Sequence, residues 1–330
     1  MPQSDGEGDH ERMAERRKRH RPRQAPAFAR LRRAVTQSHG IGQDGLDHHP
    51  LVSVAPPRKT SPALPAIKES AMPKFAANIS TLFTELPFLD RIAAARTAGF
   101  AAVEFQSPYA VPAAELATRL ARSGLPAVLF NAPMGDVAAG ERGLAAQPGR
   151  ERDFDASIET ALGYARTIGT KQIHVLAGLA MGERAAQEAI YVANLKRAAE
   201  RAARDGVTLL IEPLNARDNP GYFLNSTAMA VALLDRIACA NVALQFDLYH
   251  CQISEGDLAQ HARDLFGRYP HVQIANVPGR HEPGLGEIHF PFLFDLFDEL
   301  GYAGWIGCEY RPKAGTLAGL GWARRWGVGA

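Results

Sequence analysis

Four oxygen-bearing side chains lie at or near the C-terminal ends of short apolar segments in the second half of the sequence. They are Glu212 in VTLLIEPLN, Asp247 in VALQFDLYH, Gln273 in HVQIANVPG and Glu309 in WIGCEYRP. Each segment has the composition of a buried strand, where a charged group is costly to desolvate unless something pairs with it. One divalent cation would satisfy all four, and three carboxylates with one amide favour Mg²⁺ or Mn²⁺ over Zn²⁺. Taken singly, each residue also fits a buried salt bridge or hydrogen-bond network.

Two histidines are candidates for binding substrate at the same site. His174 lies in the apolar segment QIHVLAG, and the next predicted strand carries Glu212. A histidine within a strand also fits an ordinary core position, so both interpretations of His174 stay open. His250 follows Asp247 in DLYH, where it either orients a metal-bound carboxylate or contacts substrate.

Two loops add a cation and a further carboxylate to the candidates. Arg217 lies in NARDNPGYF, the loop after the fifth predicted strand, and is a candidate for holding an anionic substrate through a forked hydrogen bond. The alternative for Arg217 is a surface salt bridge with Asp218. The loop at 278–287, PGRHEPGLGE, is rich in turn residues. We expect Glu287 to anchor this loop beside the metal ligands, although loop polarity alone does not establish that role.

The elements that must position these residues form a repeating pattern from Lys74 onward, in which short apolar runs alternate with segments of helical periodicity. Eight such units in about 250 residues predict an α/β fold, the (β/α)8 or TIM barrel, whose active sites lie at the C-terminal strand ends. A doubly wound open sheet is the competing architecture, but the sequence has no GxGxxG or GxxxxGK[ST] phosphate loop. We predict strands at 74–79, 101–106, 126–131, 172–177, 207–212, 242–247, 271–276 and 305–309.

The first 71 residues differ from the rest in charge and composition. Residues 1–71 hold 13 Lys/Arg and 8 Asp/Glu, a net charge of +5, whereas residues 72–330 hold 24 and 27, a net charge of −3. Because residues 1–71 have no regular apolar period, we predict a disordered, basic N-terminal extension followed by a catalytic barrel over 72–330. The basic cluster at 16–21 also fits a targeting or nucleic-acid role. The acidic barrel has the wrong sign for gripping a phosphate backbone, so no nucleic-acid partner is expected.

Bulk features predict a soluble, cytoplasmic protein. The three cysteines, at 239, 251 and 308, show no paired or CxxC spacing, which is typical of reduced thiols in a cytosol. No apolar run reaches the length of a membrane span, so no membrane partner is expected. Barrels of this kind often associate, and a homo-oligomer is compatible with the sequence, although no interface is evident in it.

Several long motifs resemble the hydroxypyruvate isomerase family, within the wider xylose isomerase-like barrel superfamily. The resemblance covers residues 72–326 and does not extend to 1–71. It rests on FAANIS at 75–80, GFAAVEFQSPY at 99–109, IEPLNARDNPGYFL at 211–224, FDLYHCQ at 246–252, HVQIANVPGRHEPGLGEI at 271–288 and IGCEYRP at 306–312. It implies a divalent metal held by Glu212, Asp247, Gln273 and Glu309, with Glu212 and Glu309 as the acid/base pair.

The resemblance also implies a reaction on a small anionic hydroxy-keto acid. Hydroxypyruvate and 2-hydroxy-3-oxopropanoate (tartronate semialdehyde) would interconvert through an enediolate stabilised by the metal. The family includes 2-oxo-tetronate isomerases, which act on a four-carbon acid, so the substrate length stays open. The alternatives are a ketose 3-epimerase using the same two glutamates, an endonuclease IV-like phosphodiesterase and a catalytically silent sugar-binding protein. The phosphodiesterase needs many histidine ligands, and residues 72–330 hold six histidines.

Overall fold

Eight short parallel strands close into a barrel in the computed structural model, which describes residues 73–329. Each strand pairs with the next along the chain and the last pairs with the first, so the predicted TIM barrel is confirmed. The predicted disordered extension over 1–71 lies outside the described residues. The strands are β1 Lys74–Asn78, β2 Ala102–Phe105, β3 Ala127–Asn131, β4 Gln172–His174, β5 Thr208–Ile211, β6 Val242–Asp247, β7 His271–Ile274 and β8 Trp305–Cys308.

Helices connect successive strands. In one of them Phe154, Ile158 and Leu162 recur at helical spacing and are all buried, which explains why that face packs inward. The same helix ends at Gly169, whose φ of 78° is the left-handed C-cap that glycine favours. The helices are α1 Asp90–Thr97, α2 Ala113–Ser123, α3 Glu151–Ile168, α4 Arg184–Arg204, α5 Thr227–Ile237, α6 Leu248–Ser254, α7 Leu258–Asp264 and α8 Phe290–Leu300, followed by a 3-10 helix at Ala318–Trp326.

Side chains of β1 alternate between the two sides of the sheet. Phe75 and Ala77 belong to the main hydrophobic core, whereas Ala76 lies in a separate small cluster with residues of β2 and β3. Asn78, at the end of the strand, lines a cavity within the barrel. This period of two follows from strand geometry and lets each strand present one polar residue to the interior while its other face packs on the helices.

Six of the eight strands end one to three residues earlier than predicted, and β3 and β6 end where predicted. The fourth strand, expected to reach Ala177, ends at His174, and beyond it Ala177 forms an isolated antiparallel bridge with Gly143 of the β3–α3 loop. The chain therefore leaves the sheet in order to contact that loop. The four predicted metal ligands still lie in the last two positions of a strand or in the first position after one: Asp247, Gln273, Glu212 and Glu309.

The C-terminal 3-10 helix packs at the seam where β8 meets β1. Trp322 and Trp326 lie edge-on to Phe75 of β1, with ring centroids 5.2 and 5.6 Å apart. Trp326 also meets Phe294 of α8 at 5.0 Å. Aromatic pairs at these distances contribute packing beyond simple area burial, so this segment is part of the barrel wall.

None of the helices within residues 73–329 is both long and apolar enough to cross a membrane. The longest is α4, with 21 residues, and its sequence contains Arg, Lys and Glu along its length. A spanning helix needs about 20 predominantly apolar residues, which α4 does not provide.

Candidate active site

A cavity of about 180 Å³ opens where the strands end, and it gathers most of the predicted site residues. Asp247 lies beside it, with its Oδ2 atom 3.8 Å from His250 Nε2. Because these residues come from the ends of five different strands, β4 to β8, closure of the barrel is what brings them together. The predicted residues that line the cavity are His174, Glu212, His250, Gln273 and Glu309.

Glu212 lies at the centre of a buried cluster of potential metal ligands. Glu212, Asp247 and His250 each offer one ligand atom, and these atoms lie within 4.8 Å of one another. The Oε1 atom of Glu212 is buried without a hydrogen-bond partner, and its Oε2 atom is 3.5 Å from His174 Nε2. Burial, together with the charges of Asp247 and Glu309, raises the pKa of Glu212 well above its ordinary value. A cation would relieve both the unpaired oxygen and the repulsion, so the donor set fits a divalent metal.

A guanidinium separates two of the carboxyl groups. The Nη2 atom of Arg280 is 3.2 Å from Glu309 Oε2 and 3.6 Å from Asp247 Oδ2. The Arg280 guanidinium also lies over the ring of Tyr249, 5.0 Å from its centroid. Burial raises the pKa of Glu309 to about 7, against an opposing effect of Arg280. Glu309 is therefore close to half-protonated at neutral pH in the protein without a metal.

The amide of Gln273 is held by a network in the barrel interior. Its Nε2 atom donates to Glu104 Oε1 at 2.7 Å, and its Oε1 atom accepts from Gln245 Nε2 at 2.6 Å. Glu104 also accepts from Asn78 Nδ2 at 3.0 Å and lies 2.7 Å from His271 Nε2. A carboxylate can only accept, so Glu104 keeps the nitrogen of Gln273 on its own side. The oxygen of Gln273 is thereby turned away from Glu104, as a metal ligand requires.

Both predicted histidines are neutral at physiological pH. Burial, with the nearby histidines, lowers the pKa of His174 to about 3, and its Nδ1 atom is 3.2 Å from Asn131 Oδ1. Burial lowers the pKa of His250 to about 4, although Asp247 opposes the shift. The Nδ1 atom of His250 accepts from the backbone N–H of Asn215 at 3.1 Å. The proton of neutral His250 is therefore assigned to Nε2, which faces Asp247.

Besides Asp247, two of the predicted residues lie outside the cavity lining. Arg217 is exposed on its loop, and it is Asn219, two positions later, that lines the cavity. Glu287 is also exposed, and its Oε1 atom accepts from Gln252 Nε2 of α6 at 3.1 Å. Glu287 thus ties the β7–α8 loop to α6. The substrate-binding role of Arg217 and the anchoring role of Glu287 stay predictions.

Sequence reasoning missed the two arginines of the site. Among the described residues that line the cavity, Arg142 and Arg280 are the cationic side chains. Arg280 lies in the turn-rich loop at 278–287, after the seventh strand. Its position in the sequence does not distinguish it from Arg217 as a candidate for the site. Its backbone has a φ of 57°, a conformation that an arginine rarely adopts and that local sequence does not reveal.

The sequence is related to known isomerases over nearly the whole described region. A family model described as a xylose isomerase-like TIM barrel matches residues 92–326. The chain belongs to the xylose isomerase-like TIM barrel family. Within it, the 2-oxo-tetronate isomerase of Cupriavidus necator is 56% identical over 255 residues, which cover 77% of this chain and 98% of the relative. The hydroxypyruvate isomerase of Escherichia coli is 42% identical, covering 76% of this chain and 98% of the relative.

A solved structure has the same architecture. The crystal structure of a protein from Brucella melitensis named AP endonuclease, family 2, is similar with a TM-score of 0.76 and 47% sequence identity. The match covers 77% of this chain and 99% of that chain. The predicted resemblance and the predicted barrel are therefore both confirmed.

Removing the carboxyl group of Glu309 is expected to stabilise the metal-free protein above neutral pH. The pKa of Glu309 is about 7 in the folded protein against an ordinary 4.5, so the folded state binds more protons between these pH values and its stability falls as pH rises. The free energy of unfolding of the wild type, relative to Glu309→Gln, should fall by about 3 kcal/mol between pH 4.5 and 8. Urea unfolding in EDTA at several pH values measures this difference.

The exposed Glu299 on α8 provides the control for that measurement. Its side chain is 68% exposed and pairs at the surface with Arg263. The difference in unfolding free energy between wild type and Glu299→Gln should change little over the same pH range. A pH-independent difference for Glu309→Gln as well would contradict the raised pKa.

Proposed function

We propose that this protein is an isomerase that moves a carbonyl group between adjacent carbons of a short hydroxy-keto acid. The observation that carries the proposal is the pair of buried glutamates, Glu212 and Glu309, which share one cavity and both have raised pKa values. Glu309, with a pKa of about 7, is suited both to take and to return a proton. The names of the relatives support the class of reaction.

The two glutamates divide the proton transfers. The isomers differ in which of two neighbouring carbons carries the carbonyl, so the difficult step is the removal of a proton from the carbon beside it. One of Glu212 and Glu309 takes that proton, and the other delivers one to the neighbouring carbon. A carboxylate beside a cation is normally a weak base, because the cation lowers its pKa. Burial of both side chains offsets that loss and limits exchange of the proton with water.

The proposed cofactor is Mg²⁺ or Mn²⁺, held by Glu212, Asp247, Gln273 and Glu309. The unpaired Oε1 atom of Glu212 and the mutual repulsion of the carboxyl groups support a cation there. When bound, a divalent ion would polarise the carbonyl and hydroxyl oxygens of the substrate. Oxygen ligands of this kind suit a hard cation more than zinc.

Two acids are candidates for the substrate. The relative that is 56% identical is a 2-oxo-tetronate isomerase, which favours a four-carbon acid. The relative that is 42% identical is a hydroxypyruvate isomerase, which keeps the three-carbon acid as the second candidate. Both acids place a carboxylate next to the reacting carbons, so both require the same two glutamates and a cation near the cavity.

A panel of three- and four-carbon acids tests the proposal. The full chain is incubated with hydroxypyruvate or 2-oxo-tetronate in D₂O, with Mg²⁺, with Mn²⁺ and with EDTA, and NMR follows the carbonyl and the deuterium. We expect the carbonyl to move to the adjacent carbon, with deuterium at the new C–H, in the metal-containing samples. Absence of turnover for every acid would overturn the proposal. Turnover confined to neutral ketoses, with inversion at C3, would favour the epimerase.

The name of the Brucella protein raises cleavage of DNA as a second possibility. Residues 72–330 carry a net charge of −3, which opposes binding to a phosphate backbone. The potential metal-binding cluster in the described region holds one histidine, His250, whereas clusters of two or three metals need several. We therefore propose that this chain has no nucleic-acid substrate, and we expect a duplex containing an abasic site to remain uncut.

A further inference from the structure

A second guanidinium lines the cavity. Arg142 lies in the loop at 132–150 between β3 and α3, and it faces the same cavity as the two catalytic glutamates. Its Nη1 atom donates to the backbone carbonyls of Glu141 at 2.8 Å and Val137 at 3.4 Å. No carboxylate in residues 73–329 forms an ion pair with it. We propose that Arg142 binds the carboxylate of the substrate, an inference that rests on the proposed isomerase function.

The loop that carries Arg142 packs closely against the segment after β4 at its neighbour Gly143. A Cβ atom added to Gly143 would lie 2.5 Å from the carbonyl oxygen of Leu176, so a side chain here would push the loop away. The φ of 133° at Gly143 also disfavours other residues. Farther along the loop, Ala146 N–H donates to Ala177 O at 2.8 Å. These backbone contacts hold the loop beside the cavity, and none of them involves the side chain of Arg142.

The cavity carries an excess of negative charge. Binding an anion there therefore requires a cationic side chain that is not already paired with a carboxylate. The described residues lining it include the carboxyl groups of Glu104, Glu212 and Glu309, and Asp247 lies alongside. Arg280 is shared between two of these groups. A substrate anion would meet this excess of negative charge, and a forked guanidinium is the side chain best suited to offset it.

The two other arginines near the site are less suited to that role. Arg280 already contacts Asp247 and Glu309, so a substrate carboxylate there would compete with both. Arg217, which the sequence suggested, does not line the cavity, whereas Arg142, although also exposed, does. Arg142 combines a position on the cavity wall with a guanidinium that contacts neutral backbone oxygens.

Matched ligands isolate the contribution of the carboxylate. Glycerate and glycerol differ only in that a carboxylate replaces a CH₂OH group, and neither carries the carbonyl that the reaction needs. Calorimetric titration of the metal-loaded full chain is expected to show that Arg142→Gln weakens glycerate binding by about 10- to 100-fold, the usual range for a charged hydrogen bond. Glycerol binding should change less than about twofold, because no charged group is lost from its contacts.

Kinetics provide a second readout that a structural effect would not reproduce. For the acid substrate, Arg142→Gln should raise KM by about the same 10- to 100-fold and leave kcat within about threefold, since the carboxylate does not react. Arg142→Lys should restore part of the affinity, because it keeps the charge but loses the fork. Arg217→Gln tests the rival residue, and Arg263→Gln, at a surface pair with Glu299, is the matched control, whose KM should stay within about twofold of wild type.

The outcomes separate the inference from the proposed function. If the wild type turns over an acid and Arg142→Gln binds glycerate normally, Arg142 does not hold the carboxylate and the isomerase proposal stands. If the wild type binds glycerate through Arg142 but converts no acid, the isomerase proposal fails and the binding role stands. If the wild type binds no glycerate, the binding role of Arg142 is overturned, and turnover of the acids alone decides the isomerase proposal. A loss confined to Arg217→Gln would return the role to that residue.

Discussion

Replacing Glu212 or Glu309 with glutamine is expected to lower kcat by about 10³-fold or more, because a positioned acid or base typically contributes 10²- to 10⁴-fold. Glutamine keeps the shape of the side chain, so both variants should fold. It can neither take nor deliver the proton, so both should lose activity. Turnover of the acid substrate is measured by NMR with the metal present, and circular dichroism checks the fold. Both residues are also proposed metal ligands, so kcat and KM are measured at saturating metal, where the loss should appear mainly in kcat.

A glutamate on the outer surface gives the matched control for these two variants. Glu299→Gln makes the same chemical change on the exposed face of α8, and its kcat should stay within about twofold of wild type. Wild-type rates in either Glu212→Gln or Glu309→Gln would contradict the assigned roles. A variant that is inactive because it is unfolded would be recognised by its circular dichroism and replaced by Glu→Asp at the same position.

Removal of divalent metal is expected to abolish turnover and to lower the thermal stability of the protein. An ion that binds only the folded state stabilises it by about 2.7 kcal/mol at 100 times its Kd. Adding Mn²⁺ to EDTA-treated, dialysed protein should therefore raise Tm and restore activity together. Differential scanning calorimetry measures the first effect without depending on the second.

Asp247→Asn tests whether that stabilisation arises at the proposed site. The Oδ1 atom of Asp247 accepts from Tyr249 N–H at 2.7 Å at the start of α6, and asparagine is an equally good N-cap. The variant should therefore keep the cap and lose most of the Tm increase produced by Mn²⁺. Asp235→Asn, at a surface pair with Arg268, should keep the increase. Full activity in EDTA would refute a metal-dependent reaction.

Most of the barrel was predictable because its sequence signals are local. All eight strands were identified, because a short apolar run between two helical segments is compatible with few structures other than a buried strand. The polar residues that end β5 to β8 were identifiable for the same reason, because an uncompensated polar group in a buried strand stands out. What decides that they converge is the closure of the barrel, which also follows from the count of repeats.

Loop residues were harder to place because their direction depends on contacts far away in sequence. Arg217 and Asn219 belong to one loop, yet Asn219 lines the cavity and Arg217 is exposed. The loop is held by Asn215, which donates to His250 of α6, 35 residues later. No local pattern encodes that hydrogen bond. Arg280 presents the same difficulty, because its position follows from a backbone conformation rather than from spacing.

The hydrogen-bond network inside the barrel also could not be predicted from the sequence. Glu104, in β2, contacts Gln273 and His271, both in β7 on another part of the barrel. A carboxylate within an apolar strand signals a buried partner, but the partner is more than 160 positions away along the chain. The sequence therefore indicates that Glu104 needs hydrogen bonds, but it does not show that Glu104 orients Gln273, a proposed metal ligand.

The seam between β8 and β1 gives the molecule a built-in optical reporter. All three tryptophans, at positions 305, 322 and 326, belong to the last strand and the short helix after it. Trp322 and Trp326 are shielded by Phe75 near the start of the first strand. Intrinsic fluorescence in a refolding experiment would therefore report when the two ends of the sheet come into contact.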